Sequence, residues 1–203
     1  MVRAGARKIG WLLGMAIGAC TFLPAQAPPP LTDTGQITID GRPAPYRIRH
    51  LPVTSFPDLP DAIAGQLTQR GCLIPQTYQA HHPENVIHGS LERQGSSDWA
   101  VLCSTKGTVS LLVFFSSAPA SFLVLATAPE TARLQSHDAS GVLGFNWGID
   151  PASPEQVREA RLSMEHRPPT LNHDALADTI IGRRTVYHFY SKSEWALLDM
   201  PDE

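Results

Sequence analysis

The residues able to do chemistry are few and spread along the chain. His81, His82 and His88 lie close together beside Glu84, which are ligand types that Zn²⁺ or Cu²⁺ would accept. No spacing such as H-E-x-x-H accompanies them, so His81 and His82 read as exposed loop residues and His88 as a strand residue. His137-Asp138 and His173-Asp174 are adjacent pairs, and neighbouring side chains usually point different ways, so neither pair is a relay by itself. Asp174 and Asp178 stand one helical turn apart, which suits solvation or a helix N-terminus. Nucleophile motifs are missing: there is no G-x-S-x-G, no S-x-x-K with its partners and no cysteine beside a histidine. Ser104 has no base that the sequence identifies. The stretch GVLGFNWG, 141–148, has glycines but no following Lys-Ser/Thr and no βαβ setting, so it is no phosphate loop. Phe145 and Trp147 could line a groove, but large aromatics more often plug the end of a sheet.

The segment Gly89 to Leu102, GSLERQGSSDWAVL, is the best-defined motif. It resembles the loop of FG-GAP-type repeats, whose pattern is close to G-D-F-N-G-D-G-x-x-D-W-A-V-L. Gly89, Gly95, Asp98, Trp99, Ala100, Val101 and Leu102 match, and Leu91 replaces the aromatic. The resemblance implies a tight turn in which Asp and Asn oxygens surround Ca²⁺, an ion that takes six to eight oxygen ligands. The departures fall on the ligands, with Ser90, Glu92 and Gln94 in place of Asp, Asn and Asp and Arg93 in place of a glycine. The degenerate set Ser90, Glu92, Gln94 and Asp98 is therefore not expected to hold calcium, and no cofactor is expected. A single copy does not make a propeller, which needs several blades. The series RGC-x-IPQ, ENVI-x-G, DWAVLCS, HDALADTIIG and EWALLD also resembles uncharacterised exported bacterial proteins, a likeness that implies no activity.

The N-terminus supplies a cellular setting. Arg3, Arg7 and Lys8 precede an apolar run from Ile9 to Leu23, then Pro24 and Ala25-Gln26-Ala27, the layout of a secretory signal over 1–27. The run falls short of the roughly 20 apolar residues of a membrane span. Two exits stay open. Cleavage after Ala27 meets the small-x-small rule but places Pro28 after the cut, whereas Ile17-Gly18-Ala19-Cys20 resembles a lipobox in which Cys20 is lipidated. Export to the periplasm, the medium or a lipid-anchored position in a bacterial envelope is the expectation.

Removing the signal leaves 13 Lys and Arg against 19 Asp and Glu, a net charge of −6. So acidic a chain has no general attraction for nucleic acid, and contact with a membrane is expected only through Cys20. Cys72 and Cys103 remain, and two cysteines in an exported chain are most simply one disulfide. It would close a loop of about 30 residues, which the chain-entropy view rates at roughly 3 to 4 kcal/mol.

The elements that must position these residues follow from periodicity. PPPLTDTG, 28–35, reads as a proline-rich tether and 36–203 as a single globular domain. ITID and YRIRHL flank Asp40-Gly41 as a hairpin, with Pro43 and Pro45 arguing for a sheet edge. Leu59, Ile63 and Leu67 predict a helix over 58–70, stopped by Gly71. A polar loop is expected from Pro75 to Glu84. Four strands are predicted over 86–91, 99–104, 108–115 and 121–127, the last two apolar enough to be central and covered on both faces. A polar loop follows over 128–150. Ser153, Pro154 and Gln156 begin a second helix that should end near Leu162 or Met164, Asn172 to Ile181 reads as a third, and TVYHFY and EWALLDM close the chain as a hairpin.

The fold expectation is α+β, an antiparallel sheet meander with about three short helices and one disulfide. The functional expectation is a non-catalytic exported domain binding a protein or cell-envelope component through a sheet face or the 128–150 loop. The alternative is a small hydrolase or metal-dependent enzyme whose His and Asp residues converge from distant segments. The two differ in whether such a cluster forms in a cleft.

Overall fold

The computed structural model describes residues 31–162 and 170–199. The signal segment, Cys20, Pro28 to Pro30 and Met164 lie outside the described residues.

Chain order begins with a hairpin of β1 (Leu31–Ile39) and β2 (Arg42–Pro52). Asp40 and Gly41 both take positive φ, the twist that a two-residue turn needs to match right-twisted strands. Pro43 and Pro45 lack an amide donor, and the third strand beside β2, β9 (Leu143–Phe145), joins it only at Tyr46 and Arg47, beyond both prolines. Residues 31–35, expected to be tether, are the first half of β1 and pair with Tyr46 to His50. Leu-Thr-Asp-Thr-Gly shows no apolar period and needs none, since most of β1 is exposed.

Helix α1 (Asp61–Gln69) follows Pro60, which preorganises the first turn, and ends at Gly71, whose positive φ lets the Cys72 amide bond back to the Leu67 carbonyl at 3.0 Å. Strands β3 (Leu73–Gln76), β4 (Val86–Gly89), β5 (Asp98–Thr105), β6 (Thr108–Phe114) and β7 (Leu123–Pro129) come next, then β8 (Leu134–Ser136), which pairs antiparallel with β9. These strands form a large sheet in the order β7-β6-β5-β3-β2-β9-β8, with β1 added on β2 and β4 on β5. Pairings are antiparallel apart from β2 with β9. A second sheet of four consecutive antiparallel strands holds β10 (Trp147–Ala152), β11 (Ala175–Ile180), β12 (Arg184–Ser191) and β13 (Glu194–Asp199). Between β10 and β11 lies α2 (Pro154–Leu162), whose capping box is made as its sequence requires: the Gln156 amide donates to Ser153 Oγ and the Ser153 amide to Gln156 Oε1.

The core explains the layers. On β5 the two-residue period sends Val101 and Cys103 outward under α1, with Ile63, Leu67, Leu112 and Phe114. It sends Ala100 and Leu102 inward against Trp147, Ile149, Leu176 and Ile180 of the second sheet. Beyond that sheet, Val157 of α2 packs on Ala175, Ala177 and Phe189. The result is two sheets face to face with a helix on each outer side. The disulfide Cys72–Cys103 joins the exit of α1 to β5.

Three expectations need correcting. Asn172 to Ile181 is no helix; residues 175–180 are β11. Leu176, Asp178 and Ile180 face one side and Ala175, Ala177 and Thr179 the other, and pairing with two neighbouring strands overrides the helix preference of Ala and Leu. The strand at 121–127 is not covered on both faces. It becomes β7, the outermost strand, with Leu123 and Val124 exposed, whereas β6 is central and buried. Finally, the polar loops at 75–84 and 128–150 contain β3 residues and all of β8, β9 and much of β10, strands of three to six residues that are too short to show a period.

Candidate functional site

Asp98 is wholly buried, and both carboxylate oxygens are engaged. The Ser116 amide donates to Oδ1 at 2.8 Å, while the Glu92 amide at 2.7 Å and the Ser96 hydroxyl donate to Oδ2. Gly95 turns the loop with a positive φ. Ser90 donates its hydroxyl to the Ser96 carbonyl, and its amide to Asp174. Glu92 accepts from Ser117 and Arg93, and Gln94 is exposed. The four candidate ligands thus point to different partners. Asp98 acts as the internal brace of the turn, occupying with its oxygens the donors that surround it.

The histidines do not converge. His81 and His82 are exposed loop residues; His88 bonds Ser97 and lies 4.7 Å from the Trp99 ring; His173 is buried and bonds a backbone carbonyl. Among the described residues no three His, Cys, Asp or Glu side chains are placed to hold a metal ion.

Two buried histidine–carboxylate pairs do form, one between the paired strands β11 and β12 and one between β2 and the turn after β7. His188 Nε2 is 3.0 Å from Asp178 Oδ2, and the Trp147 indole donates to Asp178 Oδ1 at 2.6 Å. The Arg133 guanidinium sits 4.5 Å over the Trp147 ring; burial lowers its pKa, and the Asp178 charge partly offsets this. Trp147 is a fully buried plug, as is Phe145. In the second pair, His50 Nε2 is 2.7 Å from Glu130 Oε1. Burial raises the Glu130 pKa, but hydrogen bonds from His50 and Ser104 and the nearby His50 charge outweigh it and hold the carboxyl below its ordinary value. His50, Ser104 and Glu130 are each 5% exposed. Sequence spacing gave no sign of this trio, whose members come from β2, β5 and the turn after β7.

Asn85 is the hub between the sheets. Its amide donates to the Pro75 and Trp147 carbonyls, and its Oδ1 accepts from the Ile149 amide. Its positive φ brings the carbonyl to the Leu102 amide at 3.0 Å. These bonds hold the 77–84 segment against the second sheet, between two clefts.

The smaller cleft, about 380 Å³, contains His82, Glu84 and Asp150. Burial, and then the Glu84 charge, raise the Asp150 pKa. The larger cleft, about 500 Å³, opens on the outer face of the large sheet where α1 does not reach. Arg47 and Arg49 share one face of β2 by the strand period. Arg49 is fixed by donating Nη2 to the Ala80 carbonyl at 3.0 Å. Gly144 stands opposite Arg47, and a Cβ there would meet Tyr78 Cβ at 2.5 Å. The missing side chain lets Tyr78 approach, and its ring stacks on His137 at 4.6 Å between centroids and 7° between planes. Asp138 accepts from the Ser140 hydroxyl and amide, which lower its pKa, with His137 adding to the effect.

No family model, curated protein or solved structure matches this chain. The site must therefore be read from its own chemistry. A cleft of this size lies within the 300 to 1,000 Å³ typical of small-molecule sites. Its walls offer guanidinium donors on one side and a flat aromatic pair on the other. The sequence reading pointed to the 128–150 segment but missed Arg47, Arg49 and Tyr78. The signal for the first two was present: two arginines at i and i+2 put two charges on one strand face.

Proposed function

We propose that this is an exported, non-catalytic binding domain that holds a cell-envelope component in the cleft between β2, the Tyr78 loop and the 137–144 segment. The observation that carries this reading is the pairing of two arginines that make no ion pair among the described residues with a preorganised aromatic wall. Apart from the Arg49 bond to the Ala80 carbonyl, neither guanidinium has a hydrogen-bond or ion-pair partner among the described residues, and both line the cleft. The disulfide is compatible with an oxidising compartment, and no helix among the described residues is long and apolar enough to cross a membrane.

The alternative, a hydrolase assembled from distant residues, has its best support in His50, Glu130 and Ser104. They have suitable types and a shared hydrogen-bond network, but they lie on the inner side of the sheet at 5% exposure, and the cleft contains none of them. Their arrangement serves the fold better than a substrate.

Capture from envelope extract by the full-length protein tests the proposal, compared with Ser140→Trp, which fills the cleft from an exposed rim position. A component retained by the wild type and lost by the variant supports the reading. Equal retention by both overturns it. Mass spectrometry of the protein recovered from the envelope checks export: a start at Pro28 or a lipid-modified Cys20 is expected, and an intact Met1 overturns it.

A further inference from the structure

Resting on that reading of the cleft, we infer that its ligand carries a phosphate group, held by Arg47 and Arg49. The argument begins with charge. Residues i and i+2 of a strand stand about 7 Å apart on the same face, so two guanidinium groups project side by side into one opening. Arg47 and Arg49 make no ion pair among the described residues. A domain with this net charge could easily have set a carboxylate between them. Left unpaired, the two cations repel each other, and one dianion placed between them satisfies both. A carboxylate has one charge and needs one arginine; a phosphate monoester carries nearly two and offers three acceptor oxygens in the tetrahedral array that planar guanidinium forks meet bidentately.

Geometry adds the remaining pieces. The bond from Arg49 to the Ala80 carbonyl orients that guanidinium while leaving its other donors available. Gly144, opposite Arg47, lets Tyr78 pack down against the strand beside the arginines. His137 lies stacked on Tyr78, so the two rings form one rigid aromatic block beside the arginines, of a kind that packs against a sugar or a similar ring. Asp138 is the one carboxylate lining the cleft and would repel an anion. Its Oδ1 is bound by Ser140, and its Oδ2 lies 3.4 Å from His137 Nδ1, so the field it sends into the cleft is partly compensated. The phosphate could belong to a soluble sugar phosphate, to inorganic phosphate or to a lipid headgroup. All three present the same oxyanion.

Calorimetric titration of the full-length protein distinguishes them. The probes are inorganic phosphate, glucose 6-phosphate, glucuronate as a carboxylate of similar size, and neutral vesicles with and without phosphatidic acid. Saturable binding of glucose 6-phosphate, weaker binding of glucuronate and a loss of about tenfold or more in Arg47→Gln and Arg49→Gln are expected, since each removes a charge-assisted bidentate contact. Binding confined to the phosphatidic acid vesicles, and lost in the same variants, supports the inference and assigns the phosphate to a lipid. Far-ultraviolet circular dichroism checks that the variants fold, and Arg47, being exposed, is the safer of the two. No saturable binding of any phosphate probe, glucuronate binding as tightly as the sugar phosphate, or unchanged binding in both variants overturns it. Failure here with envelope capture still abolished by Ser140→Trp would leave the cleft as the binding site and remove only the phosphate.

Discussion

His50 and Glu130, 80 residues apart, meet at 2.7 Å on the inner side of the large sheet, with Ser104 bonding the same carboxylate. Glu130 titrates below its ordinary 4.5, so the fold prefers it ionised. Its contribution is complete above that ordinary value and is lost as pH falls through the lower folded value. The acid limb of a stability–pH curve should therefore steepen below about pH 4.5 in the wild type. Glu130→Gln should flatten that limb and cost about 2 kcal/mol at neutral pH, the scale of hydrogen bonds to a charged group. Urea midpoints at a series of pH values measure both, and parallel curves for the two proteins would show that Glu130 contributes nothing to acid sensitivity.

Asp150 has the opposite sign. Burial and then Glu84 raise its pKa above 3.8, so the folded state favours the protonated form. Its ionisation costs the fold stability as pH rises through the interval between 3.8 and the raised value, and that stability returns on acidification. Since burial is the larger cause, Glu84→Gln should move the Asp150 titration only part of the way back. Carboxyl-carbon NMR reads this directly. A return to the ordinary value would make Glu84 the main cause.

Much of the frame was legible in the sequence because local signals and tertiary structure agree there. Asp40-Gly41, Pro60 with Gly71, the Ser153–Gln156 box and the alternation after Asp98 each specify their geometry within a few residues, and Cys72 and Cys103 pair as expected. Reading stopped where geometry depends on pairing at a distance. Residues 175–180 have helix-forming composition, but β10 and β12 make them a strand. The cleft joins residues near 47, 78, 137 and 144, which come together only because β9 lies parallel to β2 and a glycine admits Tyr78. The His50–Glu130 pair was invisible for the same reason, and Asp178–His188 because its first member read as helical. Within Gly89 to Leu102 the turn is braced by Asp98, which accepts amide and hydroxyl donors.

The disulfide closes 31 residues of separation and lies in the apolar layer beneath α1, between Ile63 and Leu67 on one side and Val101 on the other. Cys72→Ala with Cys103→Ala should cost about 3 to 4 kcal/mol through the wider unfolded ensemble. Guanidinium midpoints with and without reductant should differ for the wild type and coincide for the double variant. Equal midpoints for oxidised and reduced wild type would mean that the link adds no stability.

Asp98→Asn probes the turn without changing its shape. The carboxylate accepts on both oxygens, Oδ1 from Ser116 and Oδ2 from Glu92 and Ser96, whereas an asparagine amide has one acceptor and must turn its NH₂ toward another donor. A buried donor facing a donor is an unsatisfied group on each side, so the variant should lose about 2 to 3 kcal/mol, read as a lower urea midpoint with unchanged slope. Calcium bears on the same residue. Asp98 already accepts three protein donors and among the described residues no other carboxylate joins it around a common point, so millimolar calcium should leave the thermal midpoint of the wild type where it was. A marked rise would mean that the ion displaces these donors, since a ligand that binds the folded state raises its stability by mass action. The loop would then be a calcium site despite the serine, glutamate and glutamine at 90, 92 and 94.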